Sequence, residues 1–283
     1  SALSMRDISA RGAGDVDVLV DPKSVPRAHR MLVANGFTPR TSLVPSEKAI
    51  WKFWSFRDRE LGYTRASVDI DLHWIVPRDT KLSASTAAQL ARSQRVTIAN
   101  GSVETLSPGD ALNACAVHIY VDFCHSLRLL VDLAYLSNLP GITLPEDVPG
   151  PGRQLVADVL EFARHVFGPS VFPTIPGVPK SSEKSVARLI RMWEKNSAKP
   201  LAEASSHDYS WDYVARLKHE LFYNSSFTQV ARVLSLILFD IPKYSKGIRP
   251  AGLITALLLR LRQLATGTVP HRQTLKNSQN RKP

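Results

Sequence analysis

The sequence predicts an α+β protein in which a mixed-sheet domain is followed by a helical domain. Within residues 1–106, short segments alternate apolar and polar residues, which is the period of a half-buried strand. Residues 107–265 instead repeat their apolar positions at helical spacing. Residues 266–283 carry Arg and Lys, no Asp or Glu, and little apolar content, so we expect a basic disordered tail there.

The first domain is predicted to open with a strand and a helix. Valines occupy every second position of residues 15–20, which favours a strand. Ser24 is placed to cap the following helix, with Pro26 in its first turn and Gly36 at its end. The other predicted strands are residues 51–56, residues 67–74, and the hairpin arms 95–99 and 102–106 around Asn100-Gly101. One face of residues 67–74 is expected to be apolar, with Val68, Ile70, Leu72 and Trp74.

The helical half is predicted to begin at residues 107–110. There a serine can cap the helix, a proline takes its first position, and an acid lies three residues after the cap. One continuous helix is expected over residues 111–138, with Cys115 and Cys124 as small core residues rather than disulfide or zinc ligands. Further helices are expected at residues 152–167, 182–196, 211–223, 226–239 and 251–264.

The composition is that of a globular protein with a large positive excess. The 283 residues are 44% hydrophobic and 22% charged. No apolar stretch reaches the roughly 20 residues that a membrane span needs, so we expect a cytoplasmic protein. The net charge of +11 favours polyanionic partners, which leaves nucleotides, RNA and acidic membranes open.

Two Asp-x-Asp pairs lie on predicted strands. Asp15 and Asp17 leave the same face of the first strand, and Asp69 and Asp71 repeat this arrangement on a later one. Converging carboxylates repel one another unless cations lie between them, and hard divalent cations such as Mg²⁺ take oxygen ligands. Two such ions can clamp the attacking and leaving oxygens of a phosphoryl transfer. A second interpretation stays open, in which these are solvent-facing acids on half-buried strands.

Residues 11–20, Gly36-Phe37 and residues 68–74 together resemble a family of bacterial nucleotidyltransferases that is similar in its core to the DNA polymerase β-like superfamily. The family's layout has an arginine four residues before an acidic pair, a helix, and then a carboxylate directly before Leu-His-Trp. Its downstream helical part is similar to residues 107–110, His118 and residues 131–134. The resemblance covers about residues 5–170 and implies a polymerase β-like mixed-sheet core followed by a helical domain.

The resemblance also implies a role for each acid. Asp15 and Asp17 would bind the metal ions that hold the triphosphate, and Asp71 would complete the catalytic metal site and help to deprotonate the attacking hydroxyl. Two Mg²⁺ ions are implied, with Mn²⁺ as an alternative. Asp69 shares the face but falls outside the matched position, so it is assigned to the nucleotide-binding surroundings. Arg11 would neutralise phosphate charge or form a salt bridge within its loop.

The sequence departs from the superfamily on the N-terminal side of the acids. The superfamily usually carries a Gly-Ser pair roughly ten residues before the acidic pair, at a helix start whose free amides bind phosphate. Ser4 lies at a suitable distance and is predicted to bind nucleotide, but the residue before it is Leu3 and not glycine. Whether the triphosphate is held in the usual way therefore stays open.

A polar stripe is predicted on the continuous helix. His118, Asp122, His125 and Asp132 fall within a narrow sector at about 100° per residue. Three interpretations stay open: a transition-metal site, contact of His118 and Asp122 with nucleotide or acceptor, and a structural polar seam. His73 shares the carboxylate face and is interpreted as a supporting hydrogen-bond partner.

Two other segments have the composition of a nucleic-acid surface. Residues 48–57 interleave Trp and Phe with Lys and Arg, which suits base stacking but also suits a strand core. The basic C-terminal region, residues 260–282, suits sequence-independent phosphate contacts or a solvated terminus. A membrane-surface helix at residues 251–264 is a third option.

These observations predict an enzyme, a metal-dependent nucleotidyltransferase that moves a nucleoside monophosphate from a nucleoside triphosphate to an acceptor hydroxyl. A small molecule, a protein side chain and an RNA end all stay open as acceptors. The alternative is a non-catalytic nucleotide- or RNA-binding or adaptor protein built on the same fold. A third possibility, an unrelated α+β protein, would require Asp15 and Asp71 to lie far apart.

Overall fold

The structure is a computed structural model, which describes residues 15–40, 59–75, 81–98, 101–121, 124, 126–197 and 222. The elements are β1 (Val16–Leu19), α1 (Val25–Ala34), β2 (Thr38–Pro39), β3 (Glu60–Arg65), β4 (Val68–His73), α2 (Thr86–Ala91), β5 (Gln94–Ile98), β6 (Gly101–Thr105), α3 (Pro108–Val121), α4 (Leu127–Ser137), α5 (Gly150–Phe167) and α6 (Glu183–Ser197). The predicted mixture of helices and a mixed sheet is confirmed. The domain division at residue 106 stays a prediction. The strand predicted at 51–56, the helices predicted beyond residue 210 and the predicted tail lie outside the described residues, Phe222 excepted.

Four strands form a sheet in the order β1-β4-β3-β2. β1 runs parallel to β4, whereas β3 pairs with both β4 and β2 in antiparallel fashion. Facing residues of paired strands point to the same side of a sheet. One face therefore carries the acidic side chains of β1 and β4, and the opposite face carries their apolar ones. The strands predicted at residues 15–20 and 67–74 are confirmed.

The apolar face of the sheet packs against α1 and closes a small core. Its buried members are Val25, Leu61, Tyr63, Leu72 and Trp74, with Ala28, Leu32, Phe37 and Ile70 packed around them. Leu72 and Trp74 are each 1% exposed, which confirms the apolar side predicted for residues 67–74 at its C-terminal end. Burial of this kind stabilises by about 1.5–3 kcal/mol for each large side chain. The core fixes β4, and with it the opposite, acidic face.

Helix α1 begins and ends close to the predicted residues, but its start is built differently. A short 3₁₀ turn at Pro22–Ser24 precedes it, and the Asp21 carboxylate accepts a hydrogen bond from the Lys23 amide at 2.7 Å. Ser24 occupies the N-cap position but makes no side-chain capping bond, so that part of the prediction was wrong. The helix ends as predicted, with Gly36 at φ +81°, a conformation that glycine adopts at little cost.

Strand β3 was not predicted from the sequence. It forms a hairpin with β4 in which Arg65 faces Val68, so that Ala66 and Ser67 make the turn. Ala66 has φ +52°, which is uncommon for a residue with a Cβ atom. Turns of this kind are normally marked by Gly or Asn, so the Ala-Ser pair gave no signal.

The second predicted hairpin is confirmed as a two-stranded sheet of β5 and β6. Ile98 faces Gly101 in its register, so Gly101 belongs to the strand and not to the turn. Asn100 lies outside the described residues. The turn prediction was therefore displaced by one residue.

The continuous helix predicted over residues 111–138 was wrong. Helix α3 ends at Val121 and α4 begins at Leu127. Between them Cys124 has φ +61°, and its amide donates a hydrogen bond of 2.8 Å to the Ile119 carbonyl, as at a helix C-terminus. Ser126 then caps α4 by accepting a hydrogen bond from the Leu129 amide at 3.4 Å. The periodicity predicted helix on both sides but not the change of direction.

The start of α3 follows the prediction. Ser107 Oγ accepts a hydrogen bond from the Asp110 amide at 3.2 Å and donates one to the Asp110 carboxylate at 2.6 Å. Arg92 contacts the same carboxylate through two donors, at 2.9 and 3.1 Å. These partners make it possible for the Asp110 side chain to be buried, because a buried carboxylate needs its oxygens satisfied.

Helices α3 to α6 pack around a second apolar cluster. Its fully buried members include Leu112, Leu133, Leu155, Phe162 and Leu189. Gly152, in the first turn of α5, lies so close to the backbone of Leu82 that a Cβ atom there would overlap the Leu82 carbonyl. Cys115 and Cys124 are both buried, as predicted for core residues. Within the described ranges, none of the helices combines the length and apolar character that crossing a membrane requires.

The contact between α1 and β3 predicts a pH dependence of stability. Tyr63 is fully buried, and burial raises its pKa to about 12, so the phenol stays protonated and can donate to His29 Nδ1 at 2.9 Å. Burial, with the charge of Arg30, lowers the pKa of His29 below its usual 6.5. The unfolded chain therefore takes up a proton at His29 at higher pH than the folded chain, and folding stability falls as pH drops below about 6.5.

This loss is measured by denaturant unfolding between pH 8 and pH 5. We expect the free energy of unfolding of the wild type to fall more steeply with acid than that of His29→Gln. The exposed His165 on α5 offers a matched control. An acid dependence that is the same in wild type and His29→Gln would contradict the prediction.

Candidate functional site

Four neighbouring backbone positions form a row across the acidic face of the sheet. Asp17 faces Asp71 across the parallel pair, and Asp71 faces Gly62 across the antiparallel pair. The Arg40 amide, directly after β2, donates to the Gly62 carbonyl at 2.8 Å and extends the row by one residue. Adjacent strands lie about 4.8 Å apart. The two carboxylates therefore leave the sheet side by side, with an arginine two strands away.

The Asp17 carboxylate is held by an imidazole on β4. His73 Nε2 lies 2.8 Å from Asp17 Oδ1, and His73 Nδ1 lies 3.7 Å from a carboxylate oxygen of Glu60. The Asp17 side chain is 61% exposed and the His73 side chain only 10%. The nearly buried imidazole thus orients the carboxylate, which stays open to solvent. This agrees with the interpretation of His73 as a supporting hydrogen-bond partner.

The two partners shift each other's protonation in opposite directions. The hydrogen bond from His73 lowers the pKa of Asp17 despite the opposing effect of burial. Burial works against protonation of His73, but the bond to Asp17 and the charges of Glu60, Asp17 and Asp71 outweigh it and raise the His73 pKa. Asp17 is therefore kept ionised beside a histidine that favours its cationic form.

Asp71 is paired with Arg40, whose guanidinium lies across Gly62. A Cβ atom at position 62 would overlap that guanidinium, so the missing side chain is what lets Arg40 pass over β3. The Asp71 side chain is 18% exposed. Burial raises the pKa of Asp71, the charges of Glu60 and Asp15 act in the same direction, and Arg40 opposes the shift. Asp71 is thus the more basic of the two paired carboxylates.

Two more of the predicted residues lie near this row. Asp15 is exposed beside the start of β1, and its charge reaches Asp71. Asp15 and Asp71 are therefore close enough to interact, which is contrary to what an unrelated protein would require. His118, exposed on α3, contributes to the lowered pKa of Asp17, so the end of α3 approaches the acids. Asp69 faces Thr64 and occupies the acidic face one row away from Asp71.

Most of the other predicted residues cannot be placed relative to this arrangement from the part of the chain that the structure describes. Ser4, Arg11 and Asp122 lie outside the described residues, as do His125 and residues 48–57. Asp132 is described, and it is buried on α4 at 6% exposure. Because α3 and α4 are separate helices, His118 and Asp132 do not share one helical face. The predicted four-residue stripe was therefore wrong.

Three residues of the site were missed from the sequence. Arg40 and Gly62 come to Asp71 only through the pairing of β2, β3 and β4, and Glu60 comes to His73 in the same way. Since β3 itself was not predicted, no local signal could join them to the acids. Only the parallel pair Asp17–Asp71 followed from the two Asp-x-Asp motifs.

The oxygen donors of this face suit a hard divalent cation. Among the described residues, however, no three His, Cys, Asp or Glu side chains are arranged to ligate one metal ion. Asp71 is instead matched by Arg40, and Asp17 by His73. The oxygen donors fit magnesium, and a cation bound to Asp71 would replace Arg40 as the partner of that carboxylate.

Comparisons with known proteins give one finding. Residues 2–142 match the model of a family described as uncharacterised nucleotidyltransferase. No curated protein and no solved structure matches the chain significantly. The match includes β1 to β6 and α1 to α4. Residues 2–142, which carry the acidic sheet face, therefore match this family of nucleotidyltransferases.

Proposed function

We propose that this chain transfers a nucleoside monophosphate from a nucleoside triphosphate to an acceptor hydroxyl in a magnesium-dependent reaction. The observation that supports it most is the register of β1 and β4, which sets Asp17 beside Asp71 on one open face. A nucleotide substrate is consistent with the family. The net charge of +11 also favours binding of a polyanion.

Each carboxylate has a part in this proposal. Asp15, Asp17 and Asp71 would hold the magnesium ions, which neutralise the phosphate oxygens and align the attacking and leaving groups. A bond forms between the acceptor oxygen and the α-phosphorus, the bond from that phosphorus to the β-bridging oxygen breaks, and pyrophosphate leaves. The hydroxyl proton passes to a carboxylate. Asp71, the less exposed of the pair with Asp17, is the carboxylate that we assign to this proton.

His73 supports the site through Asp17 and does not touch substrate in this proposal. Its imidazole is nearly buried and bonded to Asp17 on one side, with Glu60 on the other. A ligand of fixed orientation loses less freedom when a cation binds. His118 at the end of α3 and Asp69 on β4 would line the nucleotide, and the acceptor is a small molecule, a protein side chain or an RNA end.

The first test uses the wild-type protein. Each of ATP, GTP, CTP and UTP is titrated by calorimetry in MgCl₂ at a concentration of several millimolar, and again with EDTA in its place. We expect at least one to bind about tenfold or more tightly with magnesium. The same nucleotide, labelled at the α-phosphate, should then pass its label to the protein itself, to RNA or to a small-molecule fraction, with release of pyrophosphate.

A second function has support in the pairing of Asp71 with Arg40 and of Asp17 with His73, both side chains of the protein itself. In that case the chain binds nucleotide or RNA without catalysis. It predicts equal affinity with magnesium and with EDTA, and no transfer of label to any fraction. That result would contradict the transferase proposal and favour the binding protein.

A further inference from the structure

One basic side chain on the acidic face belongs to none of the motifs. Arg40 follows β2, and its guanidinium reaches Asp71 by crossing over Gly62 of the intervening strand. The crossing is built into the sheet, because the Arg40 amide is bonded to the Gly62 carbonyl and Gly62 directly faces Asp71. With any side chain at position 62, the path of the guanidinium would be blocked.

The accessibility of Arg40 differs from that of its partner. The Arg40 side chain is 39% exposed, while the Asp71 side chain is 18% exposed. A guanidinium carries its charge at all pH values in proteins and has more donors than one carboxylate oxygen uses. Arg40 therefore keeps donor capacity on the open side of the site, where it can bond planar or tetrahedral oxyanions in pairs.

We propose that Arg40 is a phosphate-binding residue, held on Asp71 across Gly62 in the empty site and transferred to the triphosphate when nucleotide binds. The inference rests on the proposed nucleotide site. A cation bound at Asp71 would repel the guanidinium, and the phosphate oxygens a few ångströms away would then be its partner. Arg40 thus neutralises Asp71 without ligand and neutralises phosphate with it.

The test is a double-mutant cycle of Arg40→Gln and Asp71→Asn, read by titration with ATP, GTP, CTP and UTP and the matching di- and monophosphates. With magnesium, Arg40→Gln should weaken triphosphate binding by about 10- to 100-fold, the worth of a charge-assisted hydrogen bond, and monophosphate binding by much less. With EDTA, Asp71→Asn should bind triphosphate more tightly than wild type, because it releases Arg40. The double variant should lose that gain. These EDTA titrations need no metal and no turnover.

Arg95→Gln is the matched control, because it removes one exposed arginine from β5, where Arg95 pairs with Glu104. Circular dichroism checks that each variant is folded. If wild type binds nucleotide and Arg40→Gln behaves like Arg95→Gln, the role of Arg40 is wrong and the nucleotide site stands. If Asp71→Asn binds triphosphate no more tightly than wild type in EDTA, the contact with Asp71 does not keep Arg40 from the phosphate and the inference fails. If wild type binds none of the nucleotides, the proposed function and this inference are both overturned.

Discussion

Asp17→Asn is expected to lower the rate of nucleotidyl transfer about a thousandfold, because the proposed site would lose one charged metal ligand. Metal ions contribute several kcal/mol to charge stabilisation in phosphoryl transfer, and each ~1.4 kcal/mol is a tenfold change in rate. Asn keeps the size of the side chain and its bond to His73 but removes the charge. The measurement is pyrophosphate release under saturating nucleotide, together with the magnesium-dependent part of nucleotide affinity.

Two controls separate the site from general charge effects. Glu104→Gln removes one negative charge on β6, where Glu104 is 53% exposed and paired with Arg95. It should leave transfer unchanged. Asp69→Asn removes a charge from the same strand face one row away, and it should cost less than Asp17→Asn. Transfer by Asp17→Asn within about threefold of wild type would contradict the metal-ligand role, since that is below one kcal/mol.

Gly152→Ala is expected to destabilise the folded chain by about 3 kcal/mol. The added Cβ would overlap the Leu82 carbonyl, which is backbone and cannot rotate away as a side chain would. Either α5 or the segment around Leu82 must move, and both belong to the packed helical cluster. The measurement is thermal unfolding, where about 10 °C of lowering is expected for that cost.

The same turn of α5 supplies the matched control. Gly150 is two residues earlier and has open space where its Cβ would be, with nothing within 4 Å. Gly150→Ala should therefore leave the melting temperature unchanged or raise it slightly, because alanine favours helix over glycine. Equal melting temperatures for the two variants would mean that α5 does not pack on Leu82 as described.

The parts of the fold with a local signal could be predicted from the sequence. Alternating valines predicted β1, the Ser-Pro-Gly-Asp start predicted α3, and the position of Gly36 predicted the end of α1. The interactions that begin α3 and end α1 lie within a few residues of their signals, whereas β1 was predictable because alternation is the period of a strand. The apolar side of β4 followed from alternation for the same reason.

The parts that depend on tertiary contacts could not be predicted in this way. The turn at Ala66 adopts a left-handed conformation without Gly or Asn, and the left-handed Cys124 ends α3 inside an otherwise helical pattern. The exposed turn at Ala66 is set by the pairing of β3 with β4, and Cys124 is fully buried in the helical cluster, so contacts between distant segments override local preference at both. The turn at Ala66 gave no sequence signal for β3. The end of α3 near Cys124 gave no signal for a break between α3 and α4, so the polar stripe was predicted on one continuous helix.

The residues of the candidate site likewise fall into those with a local sequence signal and those brought together by tertiary contacts. Asp17 and Asp71 followed from spacing on strands and from resemblance, whereas Arg40 joins them only through three strand pairings. A positive side chain after a two-residue strand has no distinguishing pattern of its own. Its contact with Asp71 depends on Gly62, which has no functional group and whose missing side chain leaves room for the guanidinium.

The parallel pairing of β1 with β4 also has a consequence for folding kinetics. The β3–β4 hairpin closes over two residues, but Asp17 and its partner His73 are separated by 56 positions along the chain. Contacts of such long range are slow to form, because closure entropy is lost before they contribute. The hairpin can thus exist before the acids meet. The carboxylate pair that we propose as the cation site would therefore form late in folding, and local opening of β1 alone would separate its two members.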